Sequence, residues 1–440
     1  MVRTENFLGA AIAALLIAAP LAAQQPPVTA VTLEQAIKMS EQTQPLVVSA
    51  IGAVSVDEAT VRARKGAFLP SLSLSSGGSR SFSQGPSRSD PATGQIISGD
   101  RTSQSVSMNA SSSVTLFDGF RRNHDLQAAR ANQVFADANL LNTKAQNELT
   151  VTTAFFGVLA AQQLTRVDSA SVVSAEAQYR VANAKLQAGS AARSDSLSAL
   201  VTLANAQLAL LQAQTSLVSA EANLGHLVGL SSRVTAVDDS AYYRGLASID
   251  TAALRNEALT NSPAVLTFVA NVTAARASYA STKSTYWPTL GLSGALGYSG
   301  NNADSGYTLR GSRSVSLSLS WPVFNGFSRE LNVEQAAVQV DNANAQLADE
   351  RRSVAASITQ QFAAIASSQA QVIVAETSVA AAAENLRVVT ARYQVGSNAT
   401  IVELDQAQQQ LTQAQVSMVQ ARFTLLQAKA QLEALVGRRL

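Results

Sequence analysis

Residues 105–116 read Ser-Val-Ser-Met-Asn-Ala-Ser-Ser-Ser-Val-Thr-Leu. Val106, Met108, Ala110, Ser112, Val114 and Leu116 fall on one side of a period of two. Ser105, Ser107, Asn109, Ser111, Ser113 and Thr115 fall on the other. Unbroken alternation predicts a strand with one apolar and one polar face. The pattern recurs. Val315, Leu317, Leu319, Trp321 and Val323 alternate with serines 314, 316, 318 and 320, and Leu290, Leu292, Leu296 and Tyr298 alternate with small residues. Leu72 and Leu74 begin a fourth run. Strands of about 10–15 residues are long for a globular domain and suit a tilted strand crossing a membrane. A face of Ser and Gly suits a wet lumen.

Working outward, each strand pair belongs to a duplicated unit. Phe68-Leu69-Pro70-Ser71-Leu72 reappears as Trp287-Pro288-Thr289-Leu290, and Leu116-Phe117-Asp118-Gly119-Phe120 as Val323-Phe324-Asn325-Gly326-Phe327. Arg180 and Gly189 reappear as Arg387 and Gly396, and Leu224 to Gly229 as Leu432 to Gly437. The landmarks keep their order. The first repeat is expected over 24–232, with strands about 68–84 and 102–117 and helices 45–67, 121–187 and 194–228. A linker is expected over 233–250. The second repeat spans 251–440, with strands about 287–300 and 310–324 and helices 262–286, 328–395 and 400–436.

The long helices are read from what is missing. Residues 121–187 hold no proline and only Gly157, and 328–395 hold neither proline nor glycine. Each predicts a helix of about 100 Å at 1.5 Å per residue. In 400–436, Leu404, Leu411, Met418, Leu425 and Leu432 make one heptad line, and Ala407, Ala414, Ala421, Ala428 and Leu435 a second. The first half repeats this with Leu203, Leu210, Leu217 and Leu224. Such a seam packs helices closely. One long helix beside two short ones makes an elongated protomer without a conventional core, with Gly189 and Gly396 capping the far turns.

Composition narrows the function. The chain has 440 residues, no cysteine and two histidines. It carries 14% charged residues and a net charge of +2, against about 25% charged in ordinary soluble domains. That balance does not argue for nucleic acid. Without cysteine there is neither a disulfide framework nor a thiolate site. No GxSxG or GxxxxGK[ST] motif is present, so no catalytic residue, cofactor or metal is expected. Arg3, the apolar run from Phe7 to Ala19 and the small residues Ala22 and Ala23 read as a signal peptide over 1–23. Such a leader implies export, and an exported chain that spans a membrane without an apolar helix does so as a closed barrel. Eight of the 23 aromatics collect at the expected strand–helix junctions: Phe68, Phe117, Phe120, Tyr286, Trp287, Trp321, Phe324 and Phe327. They are candidates for an aromatic girdle at one membrane interface. Arg121 and Arg122 are expected just below it, near lipid headgroups.

The order of these parts resembles the TolC-like outer-membrane efflux proteins, from about Val31 to Gly437. Leu33-Glu34-Gln35-Ala36-Ile37 with Gln44-Pro45-Leu46 is similar to that family's opening helix. The two junction motifs above, Tyr393-Gln394-Val395-Gly396 and Ile401-Val402-Glu403-Leu404 are similar to its junctions and second helical tip. The resemblance implies a membrane β-barrel continued by an α-helical barrel. Three chains form a homotrimer, each giving four strands to a twelve-stranded barrel with a long periplasmic coiled-coil tunnel. Four strands cannot close alone, which points the same way. The implied role is a passive export duct in the outer membrane, serving a tripartite efflux or type I secretion system. A periplasmic adaptor and an inner-membrane pump are the implied partners, alongside outer-membrane lipid.

The resemblance also places a gate at the far tip. Asp195 and Tyr393 match positions that hold the tip shut, and Glu403 matches an acidic position facing the constriction. The family's tip arginine is Asn398 here, so Arg193 and Arg392 are candidates to stand in for it. Gly189 and Gly396 mark the turns expected to meet the adaptor. Asp195 and Glu403 also suit helix N-termini on electrostatic grounds alone. Two rival readings stand beside this one: a periplasmic coiled-coil adaptor, which would lack membrane strands, and a secreted hydrolase, which lacks a catalytic constellation here.

Overall fold

A computed structural model describes residues 28–97, 101–243, 251–302, 309–395 and 400–440. The expected signal peptide lies outside the described residues, and so do Gly396 and Asn398. The chain opens with β1 (Thr29–Val31), α1 (Leu33–Thr43) and α2 (Pro45–Gly66). Next come β2 (Ser71–Ser83), a small ladder of β3 (Arg88–Ser89) and β4 (Ile96–Ile97), and β5 (Arg101–Phe117). α3 (Arg121–Gln187) and α4 (Arg193–Val228) complete the first half. The second half holds β6 (Val234–Ala236), α5 (Thr251–Asn261), α6 (Pro263–Lys283), β7 (Thr289–Asn302), β8 (Arg310–Ser320), α7 (Ser328–Val395) and α8 (Ile401–Val436).

Four strands form one antiparallel sheet in the order β2-β5-β7-β8. Its register collects the apolar residues on one face: Leu72 and Leu74 join Met108, Val114, Leu292, Leu296, Leu317 and Leu319. The opposite face is wired by serine. Hydroxyl pairs cross the strands at Ser71–Ser113 (2.8 Å), Ser73–Ser111 (2.7 Å), Ser79–Ser105 (2.8 Å) and Ser293–Ser316 (2.7 Å). Small hydroxyls therefore satisfy one another across strands instead of reaching outward. A bulge between Thr115 and Phe117 reverses the facing of the strand's last residue. Phe117 pairs with Leu290 and so joins the apolar face, where simple alternation would have put it among the serines.

The junction ends of the strands are tighter than expected. β2 starts after Pro70, β7 after Pro288, and β8 stops before Pro322. Proline has no N–H to extend a ladder. The last turn of the helix expected to reach residue 286 is a separate 3-10 turn, Ser284–Tyr286.

The four helices that join the sheet, α2, α3, α6 and α7, all leave from one end of it. α3 runs beside α2 and α4, α7 beside α8, and α6 against both α3 and α7. Along this bundle three separate buried clusters stand in place of one conventional core. At the waist of the first half, Val151, Phe155, Phe156 and Leu159 of α3 pack on Ile37, Leu224, Val228 and Val234. In the second half, Val354, Ile358 and Ile365 of α7 pack on Leu254, Ala258, Val265 and Leu432. The third cluster lies at the helix tips. The described residues of the expected linker, 233–243, hold regular structure. β6 pairs in parallel with β1, and Tyr242 stands edge-on to Phe155 and Phe156 at 5.9 and 5.7 Å. α5 has no counterpart among the expected helices.

Candidate functional site

The strand-to-helix junctions explain why the sequence repeats Asp/Asn-Gly-Phe. Gly119 and Phe120 both have positive φ (67° and 64°), and the Arg121 N–H donates to the Asp118 carbonyl at 3.3 Å. Two consecutive positive φ values make a type I′ turn. Gly326 and Phe327 repeat it at 67° and 65°, with the Ser328 N–H donating to the Asn325 carbonyl at 3.5 Å. The side chains at the turns' first positions then cap the helices. Asp118 Oδ2 accepts from the Arg122 N–H at 3.2 Å, and Asn325 Oδ1 from the Arg329 N–H at 3.4 Å. A Cβ on Gly119 would collide with Trp287.

A left-handed phenylalanine costs about 1–2 kcal/mol, yet both copies keep one. The result is an outward aromatic pair in each half, Phe117–Phe120 and Phe324–Phe327, edge to face at 5.7 and 5.5 Å. Trp321 Nε1 donates to the Tyr286 carbonyl at 3.3 Å, and the Phe68 ring lies under the Arg122 guanidinium at 5.1 Å. All eight sequence-identified aromatics thus sit at or beside the junctions; Phe117 is partly covered and the other seven are exposed. Arg122 departs from expectation. Its Nε donates to Asp118 Oδ2 at 2.8 Å, and its side chain is only 18% exposed, so it holds the junction rather than facing outward. Arg121 is exposed beside Asp125.

At the opposite end, the C-termini of α3 and α7 meet the N-termini of α4 and α8. Ala182, Ala199, Val389, Tyr393, Ile401, Leu404 and Ala407 are buried together there. Gly189 (φ 71°) receives the end of α3: its N–H donates to Leu186 O at 3.0 Å and the Ser190 N–H to Lys185 O at 2.9 Å. That pair of bonds is a Schellman cap. No atom lies within 4 Å of a Cβ built on Gly189, so backbone conformation alone demands glycine.

The sequence-identified tip residues come together unequally. Tyr393 is buried (6% exposed), and its hydroxyl has no hydrogen-bond partner among the described residues. Burial raises its pKa, and the charges of Asp195 and Asp405 raise it further. Asp195 and Glu403 occupy the first turns of α4 and α8, where negative charge is favoured. Thr400 Oγ1 caps the Glu403 N–H at 3.2 Å. Arg392 stands 4.0 Å from Glu403, an exposed pair of about 0–1 kcal/mol. Arg193 is exposed and makes no hydrogen bond or ion pair among the described residues.

Sequence reasoning missed two tip residues. Lys185 of α3 donates to the Tyr393 carbonyl at 2.5 Å, and its Nζ lies 3.8 Å from the centre of the Tyr393 ring. It satisfies a carbonyl at the C-terminal end of α7, where a cation is favoured. The repeat held the signal: Lys185 precedes Gly189 by four residues, as Arg392 precedes Gly396. Asp405 accepts from Thr202 Oγ1 at 3.1 Å, its other oxygen has no partner among the described residues, and burial raises its pKa. Above the tip, α3, α4, α7 and α8 frame an open groove of about 1040 Å³, lined by uncharged groups such as Asn205, Asn385, Gln406, Gln410 and Thr412. Among the described residues, no three His, Asp or Glu side chains gather into a metal-binding group.

A sheet with an apolar and a serine-lined face, joined at one end to helices about 100 Å long, defines a protomer of a membrane-crossing duct. The chain belongs to the outer membrane efflux protein family, whose sequence model matches residues 36–230 and again 254–438. It is similar to the outer membrane efflux protein BepC of Brucella suis biovar 1 (strain 1330), at 25% identity over 367 residues, 83% of this chain and 76% of the relative. It shares the fold of the CmeC outer membrane channel of Campylobacter jejuni, with TM-score 0.75 and 16% identity over 92% of this chain and 85% of that one. It also shares that of the outer membrane protein VceC of Vibrio cholerae, with TM-score 0.72 and 17% identity over 92% and 96%. The chain is a TolC-like outer-membrane channel that extends into the periplasm, and not an enzyme. The family works with an adaptor and an inner-membrane pump. The adaptor and hydrolase readings are set aside.

Proposed function

We propose that three copies close into a twelve-stranded barrel and a helical tunnel, forming a passive export duct that rests shut at the periplasmic tip. The observation that carries this reading is the open sheet: among the described residues, β2 and β8 each leave one edge unpaired. Unpaired backbone groups are not tolerated in lipid. The helices support the same closure. α4 exposes Leu197, Leu200, Val201, Leu208, Leu211 and Val218, an apolar stripe at helical spacing that a neighbouring protomer would cover. In this reading the serine face lines the lumen. The eight junction aromatics form the girdle at the inner edge of the outer membrane, in contact with lipid.

At the tip, Tyr393 and Asp195 hold the resting state, and Lys185 ties the end of α3 to the end of α7. Lys185 thereby supplies a cationic tie where Asn398 replaces the family's arginine. Arg392 restrains Glu403, and Arg193 remains available to a neighbouring chain. Three copies of Asp195 and Glu403 around a narrow axis attract cations. The adaptor engages the turns at Gly189 and Gly396 and displaces these contacts, while the pump supplies the energy. The test is single-channel recording in planar bilayers. Asp195→Ala combined with Tyr393→Phe raises conductance if the tip is the gate, and unchanged conductance sinks the gating claim.

A further inference from the structure

The described residues of the four-stranded sheet contain no Asp or Glu, yet the strands contain Arg80 and Arg313 on their apolar face. The register sets this facing. Arg80 continues the even spacing of Leu72 and Leu74 and opposes Gln104, while Arg313 continues the line of Leu319, Leu317 and Val315 and opposes Leu296. Both are exposed, and neither makes a hydrogen bond or ion pair among the described residues. A guanidinium facing hydrocarbon is costly near the bilayer midplane and nearly free at its edges.

Both lie in the outer half of the apolar band, Arg80 near its edge and Arg313 deeper, within reach of the edge through its long side chain. Arg80 lies nine residues from the junction end of β2 and Arg313 seven from that of β8. At about 3.3 Å per residue and a tilt near 40°, they stand roughly 23 and 18 Å above the junction, against an apolar band about 25 Å tall. Phe82, two residues beyond Arg80, and Tyr298, opposite Gly311, are exposed on the same face. Aromatics beside arginines mark an interface. β2 and β8 are the two edge strands, so a closed barrel brings both guanidinium groups to one seam between chains.

We infer that Arg80 and Arg313 form a binding site for an anionic phosphomonoester headgroup of an outer-leaflet lipid, one at each of the three seams. This rests on the trimeric barrel proposed above. The guanidinium fork matches phosphate oxygens in pairs. The absence of carboxylates from the described residues of this sheet leaves the two cations no competing partner on it. A phosphorylated headgroup supplies the missing counter-charge at the depth where the arginines stand, and it bridges adjacent chains.

The test is native mass spectrometry of the detergent-purified protein titrated with phosphatidic acid, and separately with phosphatidylcholine of the same acyl chains. At about fivefold per arginine, the wild type prefers phosphatidic acid by roughly 25-fold. Arg80→Gln with Arg313→Gln loses that preference, and Arg80→Lys with Arg313→Lys keeps most of it. Equal affinity of the wild type for both lipids overturns the inference, as does an unchanged preference in the double glutamine variant. The same spectra separate the two levels. A trimer without lipid preference removes only the lipid site, whereas a monomer removes the barrel reading and the site with it.

Discussion

The Lys185 ammonium lies 2.5 Å from the Tyr393 carbonyl oxygen and 3.8 Å from the centre of its ring, joining the end of α3 to the end of α7. One cation thus holds the tips of both helical hairpins. A hydrogen bond from a charged donor is worth about 1.5–3 kcal/mol, and a cation over an aromatic face about 0.5–1 kcal/mol more. Lys185→Met is expected to lower the population of the closed tip by at least about tenfold and raise mean conductance in planar bilayers. Lys185→Arg keeps the charge and stays near wild type. Equal conductance for the methionine variant and wild type would count against the tie.

Asp405 gives the tip a pH dependence. Burial raises its pKa, and the hydrogen bond from Thr202 opposes that only in part. A carboxyl whose folded pKa is raised contributes most stability below its unfolded pKa, about 3.9. That contribution is lost as pH rises through the folded value. The start of α8 is therefore tighter in acid than at neutral pH. Asp405→Asn is expected to slow amide exchange there at pH 7, with the difference vanishing towards pH 4. A difference that stays constant across this range would contradict the assignment.

The duplicated junctions are not equivalent, and alanine separates them. Gly119 and Gly326 share a positive φ near 67°, but only Gly119 has Trp287 packed where a Cβ would go. Gly326→Ala is expected to cost about 1–2 kcal/mol from backbone strain and still yield heat-modifiable trimers. Gly119→Ala adds the collision and is expected to sharply reduce assembly into the membrane. Equal yields of both variants would show that the Trp287 contact is dispensable.

Much of the fold was legible because its periods are long. The proline-free, glycine-poor run from Arg121 corresponds to one helix ending at Gln187, and alternation through Ser105–Leu116 to β5. Short elements were not legible. β1 and β6 have three residues each, too few to show a period, and they form through a pairing between chain segments about 200 residues apart. The bulge at Leu116 was hidden for a related reason. Alternation continues through it in sequence, and only the partner strand reveals that Phe117 has changed face. At the tip, Tyr393 and Asp195 were singled out through resemblance, and their gating role is a proposal. Lys185 escaped because its role depends on reaching a backbone carbonyl of another helix, and no side-chain motif encodes that contact.

The central claim is that an open four-stranded sheet is completed by two further copies of itself. The direct test is the native mass of the particle extracted from outer membranes in mild detergent. Three chain masses, dissociating only on heating, are the result expected from the unpaired edges of β2 and β8. A stable particle of one chain mass would contradict the account, because a membrane sheet with two bare edges has no means of satisfying its backbone.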